Sequence, residues 1–147
     1  LVGYPTFATQ NITTVLSGVN YTSVYTYING SWHWSTKFFN PLTTMAIDRG
    51  YWINMNSPDT LELNGTVPSL TTIDVNVLDG AGWNLVGYPT FATQNITTVL
   101  SGVNYTSVYT YINGSWHWST KFFNPLTEMT TGQGYWIRVN EAGSFIV

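Results

Sequence analysis

Apolar and polar residues alternate along most of the chain, which is the pattern of β-strands that bury one face. The stretch 106–112 is β-branched and aromatic, and Tyr109 and Tyr111 fall on the same face of it. Asn113-Gly114 follows, and this pair favours the positive φ angles of a tight hairpin turn. Because 115–120 then alternates again, the pattern predicts a β-hairpin.

Other runs of the same kind end at glycine, proline or asparagine and predict further short strands. They cover 71–78, 82–88, 126–129, 135–139 and 143–147. One stretch has the i, i+3, i+4, i+7 spacing of a helical face instead, and it predicts a single short helix over 95–103. Thr93 or Asn95 is a candidate N-cap for it, and Gly102 is a candidate for its end.

The chain contains a long internal repeat. Residues 1–43 recur without change as residues 85–127, and 44–63 align with 128–147 at the same offset of 84 residues. The segment 64–84 occurs once. The sequence therefore predicts two tandem modules: a first unit, 1–63, and a complete second unit, 64–147. We expect the chain to be a processed form or a piece of a longer array.

Six or seven short strands and one short helix per unit predict a mainly β fold, with each unit a small barrel or sandwich. The first unit has no counterpart of 64–84. If that segment supplies a central strand, the first unit exposes an unpaired edge and an open seam in its core. An edge of this kind is a template for another chain, so we expect a neighbouring subunit to complete it by strand exchange.

Composition excludes several classes of protein. Only 7% of residues are charged and 44% are hydrophobic, which is incompatible with disorder. Four Lys and Arg residues are too few to neutralise a run of phosphates, so we expect no nucleic-acid partner. The chain has no apolar run near 18 residues and no cysteine, so we expect no membrane span and no disulfide.

Catalytic chemistry is not evident in the sequence. The 43 residues that are present twice contain no Asp or Glu, and each copy holds one histidine, His33 or His117. A paired general acid and base would have to come from unrelated positions in the variable parts. Each histidine lies between two tryptophans on a predicted strand, where a solvent-facing position is the simplest interpretation. We therefore expect no enzyme, no metal and no cofactor.

The chain carries seven Asn-x-Ser/Thr sequons, which accept N-glycans on exposed loops of secreted chains. They are at Asn11, Asn20, Asn29, Asn64, Asn95, Asn104 and Asn113. Attached sugars would help to keep a surface soluble that has few ionised groups. The sequons indicate an extracellular location and possible glycan attachment, although hairpin geometry alone also accounts for Asn29 and Asn113.

Aromatic residues crowd the predicted hairpins, and three interpretations are open. They are core packing, which would account for Trp116, Trp118 and Trp136; a protein–protein surface between units of an array; and a stacking platform for carbohydrate. The candidate contact residues are Tyr25, Tyr27, Trp32, Trp34, Tyr109, Tyr111, Trp116 and Trp118. Aromatic counts do not separate these interpretations.

Two motifs, Gly82-Trp83-Asn84-Leu85-Val86-Gly87-Tyr88-Pro89 and Gly132-Gln133-Gly134-Tyr135-Trp136-Ile137, resemble a tandem module of secreted archaeal surface proteins. Such modules are frequent in methanogen S-layer-like, sheath and cell-envelope proteins. The resemblance spans the 84-residue unit. It implies an extracellular structural or adhesive β-module at the cell surface with no catalytic residues.

The leading hypothesis is therefore a non-enzymatic structural subunit of an envelope sheath, S-layer or filament. Its partner would be a further copy of itself in a head-to-tail homopolymer, because head-to-tail contacts propagate. The alternatives are a carbohydrate-binding module, an adhesion domain, and an accessory domain of a surface hydrolase.

Overall fold

The computed structural model describes residues 1–6 and 9–147, which form short antiparallel strands and two one-turn helices, α1 (Ile12–Val15) and α2 (Ile96–Val99). The first six strands lie in the first unit: β1 (Val2–Gly3), β2 (Gln10–Asn11), β3 (Tyr21–Ile28), β4 (Ser31–Thr36), β5 (Thr44–Met45) and β6 (Gly50–Met55). The remaining eight lie in the second unit: β7 (Thr72–Val75), β8 (Trp83–Gly87), β9 (Gln94–Asn95), β10 (Tyr105–Ile112), β11 (Ser115–Thr120), β12 (Glu128–Met129), β13 (Gly134–Val139) and β14 (Gly143–Ile146).

Each unit is built around one four-stranded antiparallel sheet. The orders are β1-β6-β3-β4 and β8-β13-β10-β11, so the two sheets are equivalent strand by strand at the 84-residue offset. Two-stranded pairs β2–β5, β9–β12 and β7–β14 lie beside them. The mainly β prediction is confirmed. None of the sheets formed by the described residues closes into a barrel.

The predicted hairpin is confirmed in both units. Asn113 and Gly114 have φ angles of 51° and 78°, and the flanking strands pair from Ile112 with Ser115 onward. Asn29 and Gly30 repeat the turn in the first unit. Positive φ at both central positions matches the right-handed twist of the strands, which is why Asn-Gly selects this turn.

The predicted helix is shorter than its spacing indicated. Asn95 caps α2 by accepting the N–H of Thr97 on Oδ1 at 2.9 Å. The helix ends at Leu100, before Gly102, which does not have a positive φ and does not close it. β-branched residues at 96–99 have low helix propensity, and a tight turn from Ser101 N–H to the carbonyl of Thr98 redirects the chain.

A hydrophobic core lies on one face of each sheet, beneath the one-turn helix. In the second unit Val108 and Ile137 project from the sheet onto Ile96 and Val99 of α2. In the first unit, the equivalent core contains Val24 of β3 and Ile12 and Val15 of α1. The residues between them on these strands point to the opposite face, which carries most of the aromatic side chains.

Buried tyrosines close the end of each core. The hydroxyl of Tyr51 accepts the N–H of Ala46 at 2.7 Å, and that of Tyr135 accepts the N–H of Thr130 at 2.8 Å. Desolvation raises the pKa of Tyr51 and that of Tyr88 to about 12. These hydroxyl groups therefore stay protonated in the folded protein at neutral pH.

The ribbon β7–β14 covers the second core from the side. Ile73 and Val75 of β7 and Phe145 of β14 are buried in the same cluster as Tyr88. The strand is shorter than the predicted 71–78, because the side chain of Asn84 hydrogen-bonds the backbone of Asn76 and ends the ladder. β7 lies outside the four-stranded sheet, and Trp83 and Asn84 belong to its edge strand β8, so the condition that 64–84 supplies a central strand is not met.

The two units meet through reciprocal contacts. The N–H of Gly3 donates to the carbonyl of Gly132, and the N–H of Gly87 donates to that of Asp48, which is the same contact with the units exchanged. The isolated bridges Val2 with Gln133 and Val86 with Arg49 repeat the relation. The interface is therefore isologous, as in a two-fold dimer, although both halves belong to one chain.

Gly87 lies where the backbones of the two units approach each other closely. A Cβ there would be 2.7 Å from the carbonyl oxygen of Arg49 and 3.1 Å from that of Ile47, which are backbone atoms. We therefore expect Gly87→Ala to lower the free energy of unfolding by about 1–3 kcal/mol, the usual cost of overpacking. Chemical denaturation followed by tryptophan fluorescence measures it.

Gly102→Ala is the matched control, because a Cβ on Gly102 meets no atom within 4 Å and its φ is not positive. Its free energy of unfolding should stay within about 0.5 kcal/mol of the parent. Equal effects of the two substitutions would contradict the close approach at the interface.

Candidate functional site

The face of each sheet opposite the core is aromatic because the strands alternate. On this face Tyr109 pairs with Trp118 and Tyr111 with Trp116 across the β10–β11 ladder. The first unit repeats the arrangement, and the structure places all eight candidate contact aromatics on these two faces. The eight are Tyr25, Tyr27, Trp32, Trp34, Tyr109, Tyr111, Trp116 and Trp118.

The tryptophans of the hairpins are not core residues. Trp116 is 50% exposed and Trp118 is 38% exposed. The core-packing interpretation is therefore wrong for both, because the core face of β11 carries Ser119, which is 1% exposed. Trp136 is partly buried, and it lies on the aromatic face between core-facing Tyr135 and Ile137.

The two aromatic faces meet at the interface and form a cleft of about 650 Å³. Six aromatic residues line it: Tyr27, Trp32, Trp83, Tyr109, Trp116 and Trp136. A second cleft of about 730 Å³ adjoins it and shares Trp32, Trp116 and Trp136. Its other walls are Tyr25, Trp34 and Trp52. We call the two together the aromatic cleft.

Aromatic rings from both units pack against one another in the walls of the aromatic cleft. Trp136 lies with its ring centroid 5.5 Å from that of Trp32, and Trp52 lies 5.5 Å from Trp116, again a reciprocal pair. Two pairs within the second unit meet nearly at right angles, at 84° for Tyr109 and Trp116 and 88° for Trp83 and Trp136. Edge-to-face packing of this kind is favourable between aromatic rings.

Asp79 lies beside the cleft and organises the loop before β8. Its carboxylate accepts the backbone N–H groups of Ala81, Gly82 and Trp83 and the hydroxyl of Tyr27 from the other unit. Desolvation alone would raise the pKa of Asp79, but these hydrogen bonds outweigh it and lower the pKa. The loop that positions Trp83 is therefore fixed by a charged acceptor.

Trp52, Trp83 and Asp79 were missed by the sequence analysis. Alternation assigns Trp52 to the aromatic face, since its neighbours Tyr51 and Ile53 both belong to the core side. The same rule identifies Trp83 next to inward-facing Asn84. Asp79-Gly80 is typical of a turn, but nothing local predicts the hydrogen bond of Asp79 with Tyr27, which lies 52 residues away.

A second candidate site is a groove in the first unit, with a volume of about 570 Å³. Tyr4, Val15 and Val19 form one wall, and residues 60–64 form the other. We call it the unit-one groove. Its position is equivalent to the flank of the second core that β7 and β14 cover.

The core of the first unit is less well covered near this groove. Ile53 and Met55 are partly exposed, whereas their equivalents Ile137 and Val139 are buried. One reason is that β8 runs for five residues along β13, while β1 runs for only two along β6. The backbone of β6 beyond Tyr51 therefore has no partner on this side among the described strands.

The remaining predicted positions are on the surface. All seven sequon asparagines are exposed, at Asn11, Asn20, Asn29, Asn64, Asn95, Asn104 and Asn113. His33 and His117 are exposed as well. Within 1–6 and 9–147, three or more His, Asp or Glu side chains never come together as a possible metal site. Neither described helix has the length and hydropathy to cross a membrane.

Comparisons with protein-family models, with curated proteins and with solved structures find no match to this chain.

Proposed function

We propose that this protein is a non-enzymatic structural building block of an extracellular layer, sheath or filament whose repeat units are joined by β-strand pairing. The observation that carries the proposal is the unit-one groove together with the uncovered backbone beside it. The second unit indicates which segment would occupy the groove, because residues of 71–84 cover the equivalent flank there.

The register of the proposed pairing follows from the repeat. In the second unit, Gly143 pairs with Val75 and Phe145 with Ile73. Subtracting the 84-residue offset places Asp59 opposite the valine of an incoming strand and Leu61 opposite its isoleucine. Leu61 and Leu63 already pack partly against the first core and form no strand within the described residues. An unpaired edge of this kind accepts a strand by main-chain hydrogen bonds.

The count of strands restricts where the donor comes from. Residues 1–147 hold one β7 sequence and two positions that could receive it. A β7 that moved from one copy into another would leave its own second unit open, with no net gain in paired backbone. The donor is therefore a further repeat segment of the 64–84 type, in the same polypeptide or in a neighbouring one.

The surface is consistent with an extracellular location. Seven exposed sequons offer glycan sites. The low overall charge leaves few of the lysine and glutamate side chains that usually block edge pairing, and the acceptor segment carries Asp59 and Glu62. Phe38 and Phe122 are almost fully exposed and add apolar surface at equivalent loops. A surface of this kind favours contact with neighbouring units.

Adding a donor tests the proposal. The test uses a chain with a second copy of residues 64–84 after Val147. The added strand cannot pair in its own second unit, because β7 already occupies that position. We expect this chain to form concentration-dependent oligomers in sedimentation and extended particles in electron microscopy. The control carries aspartate at the added equivalents of Ile73 and Val75 and should stay monomeric. Identical sedimentation of the two chains at every concentration would overturn the proposal.

A further inference from the structure

The aromatic cleft is larger than packing between the units requires. Trp32 and Trp116 each contact a tryptophan of the other unit and still expose 52% and 50% of their surface. An open site of about 650 Å³ lies within the volume range of small-ligand sites, which are lined mainly by aromatic and apolar side chains. The cleft therefore has the volume and the lining of a binding site.

The rings form corners that suit a flat, rigid ligand. Because Tyr109 and Trp116 meet at 84° and Tyr25 and Trp32 at 87°, one ring of each pair is a platform and the other a wall. A pyranose ring has C–H groups that stack on an aromatic face and hydroxyl groups around its rim. Two such corners, related by the repeat, would each receive one sugar ring.

The polar atoms of the cleft that make no hydrogen bond within the protein are accessible indole N–H and phenol O–H groups. In the described part of the chain, its hydrogen bonds are those of Tyr27 to Asp79 and of Arg138 to the carbonyl of Ala81, and none uses an indole N–H. The tryptophan N–H groups and the Tyr109 hydroxyl can therefore bond to a ligand. An apolar protein surface would leave them unpaired, whereas sugar hydroxyl groups accept and donate.

Charge at the cleft favours a neutral ligand. None of the nine tyrosine and tryptophan residues that line it is ionised at neutral pH. Asp79 is occupied by backbone N–H groups, and Arg138 lies over the ring of Trp83 at 5.7 Å. A neutral ligand needs no counter-charge from this uncharged lining, and Arg138 is the cation nearest to it.

We infer that the aromatic cleft is a binding site for a neutral oligosaccharide, with one sugar ring stacked in each corner, against Trp32 in one and Trp116 in the other. The inference does not depend on the unit-one groove, which lies on the core side of the first unit and shares no residue with the cleft. Failure of one proposal leaves the other open to measurement.

Titration with cellohexaose and with chitohexaose tests the inference, with calorimetry and tryptophan fluorescence as readouts. We expect at least one hexasaccharide to bind saturably and to change the fluorescence. Trp116→Ala should weaken that binding at least tenfold, and Trp116→Tyr should restore part of it, because the ring remains available for stacking.

Phe122→Ala is the matched control, because Phe122 is 98% exposed and lies outside the cleft. It should leave the affinity unchanged, and circular dichroism should show that all variants are folded. Absence of saturable binding for both hexasaccharides would overturn the inference. Equal affinities of Trp116→Ala and Phe122→Ala for the sugar would also overturn the inference. A dimer that forms through the aromatic faces and that neither sugar dissociates would overturn it as well.

Discussion

A chain that carries a further copy of residues 64–84 in front of Leu1 should have a free energy of unfolding about 2–4 kcal/mol higher than the parent chain. The reason is that two more side chains of the size of Ile73 and Val75 become buried. In the second unit these two side chains are each 1% exposed. The added segment would place their equivalents over the unit-one groove. Chemical denaturation followed by tryptophan fluorescence measures the gain.

The control for this extended chain replaces the added equivalents of Ile73 and Val75 with aspartate. It has the same length and the same linkage but offers no apolar face to the groove, so its stability should match the parent within about 0.5 kcal/mol. A gain of equal size in both extended chains would show that added length, and not filling of the groove, is responsible.

Ile73→Asp should destabilise the second unit by at least about 4 kcal/mol. The side chain lies within the core cluster that also contains Tyr88, Val99 and Phe145, so the substitution removes apolar contacts and buries an unpaired charge. We expect loss of the β7–β14 ribbon. Far-ultraviolet circular dichroism and thermal unfolding measure the effect.

Thr72→Asp is the matched control on the same strand. Thr72 is exposed and pairs with Ile146 at the far side of the ribbon, so the new carboxylate stays in water. Its cost should stay below about 1 kcal/mol. A similar loss for Thr72→Asp and Ile73→Asp would mean that β7 does not cover the core in the way described.

Local signals in the sequence were sufficient for the hairpins and for most strand positions. Asn113-Gly114 predicts its turn because few other residue pairs adopt positive φ at both central positions. Alternation around Val108 separates the core face of the strand from the aromatic face. The helix was overpredicted because apolar spacing ignores the low helix propensity of the Ile-Thr-Thr-Val run at 96–99.

Only part of the aromatic cleft could be predicted from the sequence. The sequence places Trp116 and Trp118 on one face, but which face is buried depends on α2 packing against the other. The contact of Trp136 with Trp32 depends on how the two units meet, through glycines such as Gly87 that allow close backbone approach. These contacts join residues far apart in the chain, and local patterns carry no information about them.

The position of β7 was not predictable from the sequence either. The repeat shows that 64–84 occurs once within residues 1–147, but it does not show that β7 belongs to a ribbon beside the sheet. Only the pairing of Phe145 with Ile73 reveals that the flank, and not the centre of the sheet, is left open in the first unit.

Amide hydrogen exchange on the whole protein with a synthetic peptide of residues 69–84 examines that open flank most directly. We expect the native peptide to slow amide exchange saturably at residues 60–63 and 53–55. A peptide that carries aspartate in place of Ile73 and Val75 should not slow exchange at either stretch. Unchanged exchange at both stretches with the native peptide in excess would contradict this expectation.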